Sequence, residues 1–204
     1  MGGIGQFLIA TTSWVGLYRI MTEFGDNVVA GYTIAIRIII FSLLPAWGLS
    51  NAASTLVGQN LGAKRSDRAE KSVWTISVVN MAFLFVTGIV FYFASDRIVS
   101  LITPVEQIRE VGVLCLRILS LGYVFYALGM VTLQAFNGAG DTYTPTLLNF
   151  ISFWIIEIPL AYIISVQFGL HEKGVFLAIV IAESCLGILG LLSFKRGKWK
   201  LREV

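Results

Sequence analysis

Apolar residues run through this chain in long continuous blocks, and short polar segments interrupt them at nearly regular intervals. Six blocks, residues 4–21, 28–57, 73–94, 111–136, 145–166 and 175–194, are long enough to cross a bilayer as helices, which takes roughly 20 residues. None alternates apolar and polar positions with the period of two that a barrel strand requires. In lipid a helix also satisfies its own backbone donors and acceptors. The pattern therefore predicts an all-α integral membrane protein, with six transmembrane helices in one bundle over residues 1–204.

Two prolines interrupt the predicted helices. Pro45 has no N–H to donate to the Phe41 carbonyl, and Pro159 none for Ile155, so each predicts a kink. Beyond Pro45 comes a small, polar stretch, Gly48, Ser50, Asn51, Ala52, Ala53, Ser54 and Thr55. It reads equally as a close helix contact or as the lining of a wet cavity. The segment 58–69 contains Gly58 and Gly62 at a spacing that permits close backbone approach, with Ser66 and Asp67 as candidate helix caps. In 134–145, glycines supply a helix stop, and Thr144 followed by Pro145 predicts a helix start.

Composition narrows the function. With 56% hydrophobic and 13% charged residues there is no polar sequence to spare for a separate soluble domain. The net charge of +3 comes from two clusters: Lys64, Arg65, Arg68 and Lys71, and the tail of Lys195, Arg196, Lys198, Lys200 and Arg202. The alternate loops carry Glu23 and Asp26, then Asp96, Arg97, Glu106, Arg109 and Glu110, then His171, Glu172 and Lys173. Basic loops stay cytoplasmic, which predicts both termini inside the cell. The tail then reads as a topology signal with affinity for anionic headgroups, not as a nucleic-acid site. Cys115 and Cys185 sit mid-helix without a CxxC pair, and the one histidine, His171, lies in a loop, which leaves little for a metal or a catalytic histidine. No HExxH or GxSxG element is present, which argues against an enzyme. Residues 1–6 lack the basic region of a signal peptide, so the first block is read as an ordinary span.

Four segments carry a resemblance. They are 58–69; 134–145; Ile158-Pro159-Leu160-Ala161-Tyr162; and Phe24-Gly25-Asp26-Asn27-Val28-Val29-Ala30-Gly31-Tyr32, leading into Arg37. In this order, across nearly the whole chain, they resemble the multidrug and toxic compound extrusion (MATE) family. The resemblance implies one lobe, the second, of a twelve-helix transporter built from two six-helix lobes. It implies secondary active export of amphipathic or cationic organic compounds, by sodium- or proton-coupled antiport, across the plasma membrane. It implies no cofactor, and a partner that is either the N-terminal lobe or a second copy of the chain. A non-transporting membrane subunit and a lipid or oligosaccharide flippase of the related superfamily are the alternatives. Two departures bear on mechanism. Ala10 and Tyr126 stand where sodium-coupled relatives carry acids, so the coupling ion is expected mainly in the other lobe. Glu157 stands where many relatives have arginine.

Charges inside the spans are costly and mark candidate sites. Arg19, near its helix end, is expected to snorkel to the interface. Arg37 and Arg117 lie deeper and are expected to pair with Glu157 and Glu183, the only acids well inside the spans. Such pairs would fix the packing of the lobe; alternatively, either glutamate neutralises a cationic substrate or relays a proton. Tyr123, Tyr126 and Trp47 are candidates for cation–π contact with an organic cation, or for packing. Trp74 and Trp199 are read as interfacial anchors.

Overall fold

Apart from short 3-10 turns, seven helices follow one another among the described residues: α1 Gly2–Met21, α2 Asp26–Gly62, α3 Ser66–Ser100, α4 Glu106–Ser120, α5 Tyr123–Gly138, α6 Tyr143–Gln167 and α7 His171–Lys195. The structure, a computed structural model, describes residues 2–201, with side chains from Ile4 to Lys200; Met1 and Arg202 lie outside them. All regular structure among the described residues is helical, as the continuous apolar blocks require.

The fourth block departs from the six-helix expectation. The apolar pattern predicts one span over 111–136, but this stretch forms two helices, α4 and α5, bent by 60°. The Leu121 N–H bonds the Ile118 carbonyl at 3.2 Å, and the Gly122 N–H bonds that of Leu119 at 3.1 Å. This tightened turn ends the α-helical ladder. Gly122 also lets Val180 of α7 pack closely, since a Cβ there would lie 3.1 Å from Val180 Cγ1. Helices α2, α3, α6 and α7 are each long and apolar enough to cross a membrane, and α4 with α5 makes a fifth span if they cross together. Helix α1 carries Gln6, Thr11, Thr12, Ser13 and Arg19, and its most apolar stretch falls short of those of the long spans.

The prolines behave differently from each other. Helix α2 is a single helix of 37 residues that runs on through Pro45. In α6 the disturbance is present: π-helical segments, Ile151–Glu157 and Ile163–Gln167, flank the turn Ile158–Tyr162 that holds Pro159. A widened turn is one way a helix accommodates a lost donor.

At the α5–α6 corner Gly140 adopts φ 74°, and the Asp141 N–H reaches back to the Phe136 carbonyl at 2.9 Å. This is the glycine stop anticipated from sequence. The cap of α6 comes from Asp141 instead of Thr144: its carboxylate accepts the Thr144 N–H at 3.1 Å and the Thr144 hydroxyl at 2.7 Å. Helix α3 begins at Ser66 without a side-chain cap, so Ser66 and Asp67 occupy its first turn.

Helix α2 packs against α3, α4 and α5, α7 packs against α4, α5 and α6, and α1 lies along α6. The Trp154 indole N–H joins α6 to the Ile9 carbonyl of α1 at 3.3 Å. Only 28–39% of the most apolar stretch of each long span is buried. Side chains such as Phe41 and Phe93 therefore face outward, an arrangement that lipid accommodates and water does not.

A second buried cluster lies near the Lys64 loop, where Val57, Val73, Phe136 and Phe194 surround Trp199. Trp199 is 1% exposed and stacks on Phe194 with ring centroids 4.7 Å apart. It is a core residue here, not the expected interfacial anchor. Gly197, at φ 69°, turns the tail back, and the Trp199 indole N–H donates to the Phe194 carbonyl at 3.0 Å, an acceptor it shares with the Gly197 N–H at 3.1 Å. Lys200 then pairs with Glu70 of α3. Trp199→Phe keeps the stack and removes one hydrogen bond. It is expected to lower stability by about 1 kcal/mol, measured by thermal melting in detergent.

Candidate functional site

A cavity of about 100 Å³ opens where α1, α2, α6 and α7 meet the bend between α4 and α5. Helix α2 supplies Tyr32, Ile36, Ile39, Leu43 and Trp47, residues three or four apart and so on one face. Tyr123 and Tyr126 come from the first turns of α5, Glu157 from the π-helical part of α6, and Glu183 from α7 beside Val180. All five side chains singled out for substrate or proton contact, Glu157, Glu183, Tyr123, Tyr126 and Trp47, thus share one cavity. Sequence reasoning did not assign Trp14 or Tyr32, which also line it. Tyr32 ends one of the four resembling segments, so a signal was available.

The electrostatics of this cavity are unbalanced. Glu157 is 3% exposed, and its Oε2 has no hydrogen-bond partner among the described residues. Glu183 is half-buried and close enough to interact with Glu157 electrostatically. The expected pairing with arginine does not form: the ion pairs among the described residues are Arg109 with Asp96 and Glu106, and Lys200 with Glu70. Arg37 is exposed on α2. Arg117 is exposed too and donates from Nε to Ser95 Oγ at 3.0 Å. It belongs to a charged rim with Asp96, Glu106 and Arg109 at the end of the bundle remote from the Lys64 loop. The bend explains this: α4 stops three residues after Arg117, so the guanidinium lies with the loop charges and not in the bundle centre. Arg19 is exposed in the last turn of α1.

A buried carboxylate without a counter-ion is expensive when charged. A proton or a cation entering the cavity removes that cost. Aromatic faces of Trp47, Tyr126 and Trp14 add attraction for an organic cation. Among the described residues no three His, Cys, Asp or Glu side chains gather as a metal site. Cys115 and Cys185 are free.

Below Trp47, toward the Lys64 loop, lies a second pocket of about 350 Å³ lined by Gln6, Ser50, Asn51, Gln134 and Asn137. Gln6 Nε2 donates to Asn137 Oδ1 at 3.0 Å, and Asn137 Nδ2 donates to Gln134 Oε1 at 3.1 Å. From sequence, Gln134 and Asn137 read only as part of a hinge; in the structure they are on the last turns of α5 and face this pocket.

The fold and the cavity define a class: a multi-pass α-helical membrane protein whose helices converge on an unpaired pair of acids. The sequence profile of the family described as MatE matches residues 5–163. The chain belongs to the MatE family, the multidrug efflux transporters. It is similar to the probable multidrug resistance protein NorM of Thermotoga maritima, 28% identical over 88% of this chain and 39% of that protein. It is also similar to the probable multidrug resistance protein YoeA of Bacillus subtilis, 23% identical over 98% of this chain and 43% of that protein. A crystal structure of MATE in the straight conformation shares the fold with a TM-score of 0.89 at 22% identity, over 96% of this chain and 44% of that one. The MATE transporter ClbM in complex with Rb+ does so with a TM-score of 0.88 at 21% identity, over 100% of this chain and 48% of that one. The chain spans about two-fifths of the length of the curated relatives it matches.

Proposed function

We propose that this chain is the second lobe of a secondary exporter of amphipathic or cationic organic compounds, driven by sodium or proton antiport. The carrying observation is the cavity in which two acids without arginine partners, Glu157 and Glu183, meet Trp47, Tyr123 and Tyr126. Its volume of about 100 Å³ sets its role. Drug-sized ligands occupy roughly 300–1,000 Å³, so this cavity takes a proton or a small cationic head group and not a whole compound. The remaining wall of the route comes from a complementary N-terminal lobe, because such transporters rock one repeat against another around a site between them. With Ala10 and Tyr126 in place of the acids of sodium-coupled relatives, the other lobe holds most of the coupling ion. The lobe lies in the plasma membrane with both termini in the cytoplasm, consistent with its two basic segments. A flippase of the related superfamily would want cationic side chains around its cavity, and neither Arg37 nor Arg117 lines this one.

The test is reconstitution in proteoliposomes of the chain alone and together with an N-terminal lobe, under separate sodium and proton gradients. Gradient-dependent movement of an organic cation is expected with both lobes present and not with this one alone. Movement by the chain alone would point to self-assembly. No movement in any combination would leave a non-transporting subunit as the better reading.

A further inference from the structure

The glutamate cavity and the amide pocket are consecutive chambers along the same two helices. On α2, Ile36, Leu43 and Trp47 line the first, and Trp47, Ser50 and Asn51 line the second. On α5, Tyr126 lines the first, and Gln134 and Asn137 the second. From Ile36 through Leu43 and Trp47 to Asn51, and from Tyr126 through Gln134 to Asn137, each step keeps to one face of its helix, and Ser50 lies beside Asn51. Trp47 borders both chambers. From Tyr126 to Gln134 the helix rises about 12 Å, the length of a medium-sized organic molecule.

The two chambers differ in chemistry. The first offers carboxylates and aromatic faces. The second is lined by no Asp, Glu, Lys or Arg; its polar groups are amides and one hydroxyl, set beside Trp47, Met130 and Leu133. Ser50 is committed to the Ala46 carbonyl at 2.8 Å. Gln6, Asn137 and Gln134 are linked in a chain of hydrogen bonds, which orients them. A side-chain amide carries two N–H donors and an oxygen acceptor. The Gln134 NH₂ group and the whole Asn51 amide have no side-chain hydrogen bond among the described residues. They remain free to donate to and accept from a neutral ligand group. An amide set without charge favours a carboxamide, urea or hydroxyl over an anion or a second cation, each of which would be desolvated without a counter-ion. At about 350 Å³ the second chamber lies within the size range of small-molecule sites.

We infer that the amide pocket below Trp47 holds the uncharged, hydrogen-bonding arm of an organic cation whose charged head occupies the glutamate cavity. The substrate class is therefore two-ended: a small onium head, an apolar or aromatic middle lying against Trp47, and a carboxamide- or hydroxyl-bearing arm. The head's placement rests on the reading of Glu157 and Glu183 given above; the arm's placement rests on the amides.

The test uses the 204-residue chain in lipid nanodiscs and two tritiated probes that differ only at the arm. One is 3-(4-carbamoylphenyl)propyl-trimethylammonium; the other carries a para-methyl group in place of the carboxamide. The carboxamide compound is expected to bind about tenfold more tightly, the worth of one to two net hydrogen bonds. Asn51→Leu and Gln134→Leu are each expected to erase most of that preference while leaving the para-methyl compound's affinity unchanged. Asn51 is exposed and its side chain holds nothing in place, so its variant separates ligand contact from folding; a circular dichroism melt of each variant checks this. Equal affinities for the two probes, variants that weaken both alike, or binding of neither overturns the inference. Glu183→Gln tests the other reading separately. If it leaves both affinities unchanged while the arm preference persists, the head's placement fails and the amide pocket stands.

Discussion

Glu157→Gln and Glu183→Gln are expected to move stability and transport in opposite directions. Glu157 is buried with one carboxylate oxygen unpartnered, and no arginine or lysine pairs with either acid among the described residues. An ion pair that served packing would behave otherwise, because removing one partner strands the other charge and costs several kcal/mol. Here there is no partner to strand. Replacing a carboxylate by a neutral amide of the same shape relieves a desolvation cost, and a gain of about 1 kcal/mol in thermal stability is expected. Efflux of an organic cation by the two-lobe assembly is expected to fall by at least about thirtyfold, the loss that follows when a desolvated charge contact is removed. Thermal melting and proteoliposome efflux on the same preparations read both effects. Destabilised variants would mean that a structural partner exists; unchanged efflux in both would remove the acids from the transport route. The divergence is what sites kept for function at the expense of stability produce.

Gly138→Ala is expected to be the most disruptive single methyl in the bundle. A Cβ at Gly138 would lie 2.2 Å from the Ser54 carbonyl oxygen, which is backbone and has no rotamer to yield. Helices α2 and α5 would have to separate, widening the amide pocket between them and disturbing the Trp199 cluster beside it. A loss of at least about 3 kcal/mol is expected, at the upper end for overpacking. The control is Gly62→Ala. Nothing lies within 4 Å of a Cβ built at Gly62, so the substitution is expected to be neutral or stabilising by up to about 1 kcal/mol through helix propensity. Thermal melting of both variants, with ligand binding as a second readout, decides the matter. Equal melting temperatures for the two would refute the close α2–α5 contact.

That contrast also shows what the spacing of glycines conveys and what it does not. Gly58 and Gly62 have the spacing of a close-contact motif, yet only Gly58 meets a neighbour, the Gly138 carbonyl, 3.2 Å from a built Cβ. The contact is made by Gly58 and Gly138 across helices, and no local pattern links residues so far apart. Prolines carry a similar lesson. Pro159 coincides with π-helical turns, whereas α2 continues past Pro45 and the sharp bend falls at Leu121 and Gly122, where no proline stands. A missing donor is a local fact, but whether the ladder widens into π-helical turns or runs on at that point depends on the helices packed around it.

The candidate site was partly legible for the same reason. Glu157 and Glu183 stand out because an acid in an apolar block needs an explanation wherever it points. The amides did not stand out, since Gln134 and Asn137 fall at a helix end, where polar residues are commonplace. Arg37 and Arg117 have the right sign to pair with the glutamates, but sign and depth along the chain say nothing about azimuth around a helix. Arg117 in particular was moved to the charged rim by a bend that the apolar pattern conceals.

By itself, the order of residues determined the solvent of this protein and the secondary structure that solvent permits, because backbone groups in lipid must be satisfied within each apolar segment. Charge placement and the four resembling segments were likewise written along the chain, and with them the family. Only the tertiary structure decided which distant side chains meet. It joined two acids from α6 and α7 to aromatics of α2 and α5, left both arginines outside, and set an amide pocket against Trp47. Those outcomes depend on helix rotation, on one bend and on contacts between backbones at glycine, and these are properties of pairs of helices and not of any single segment.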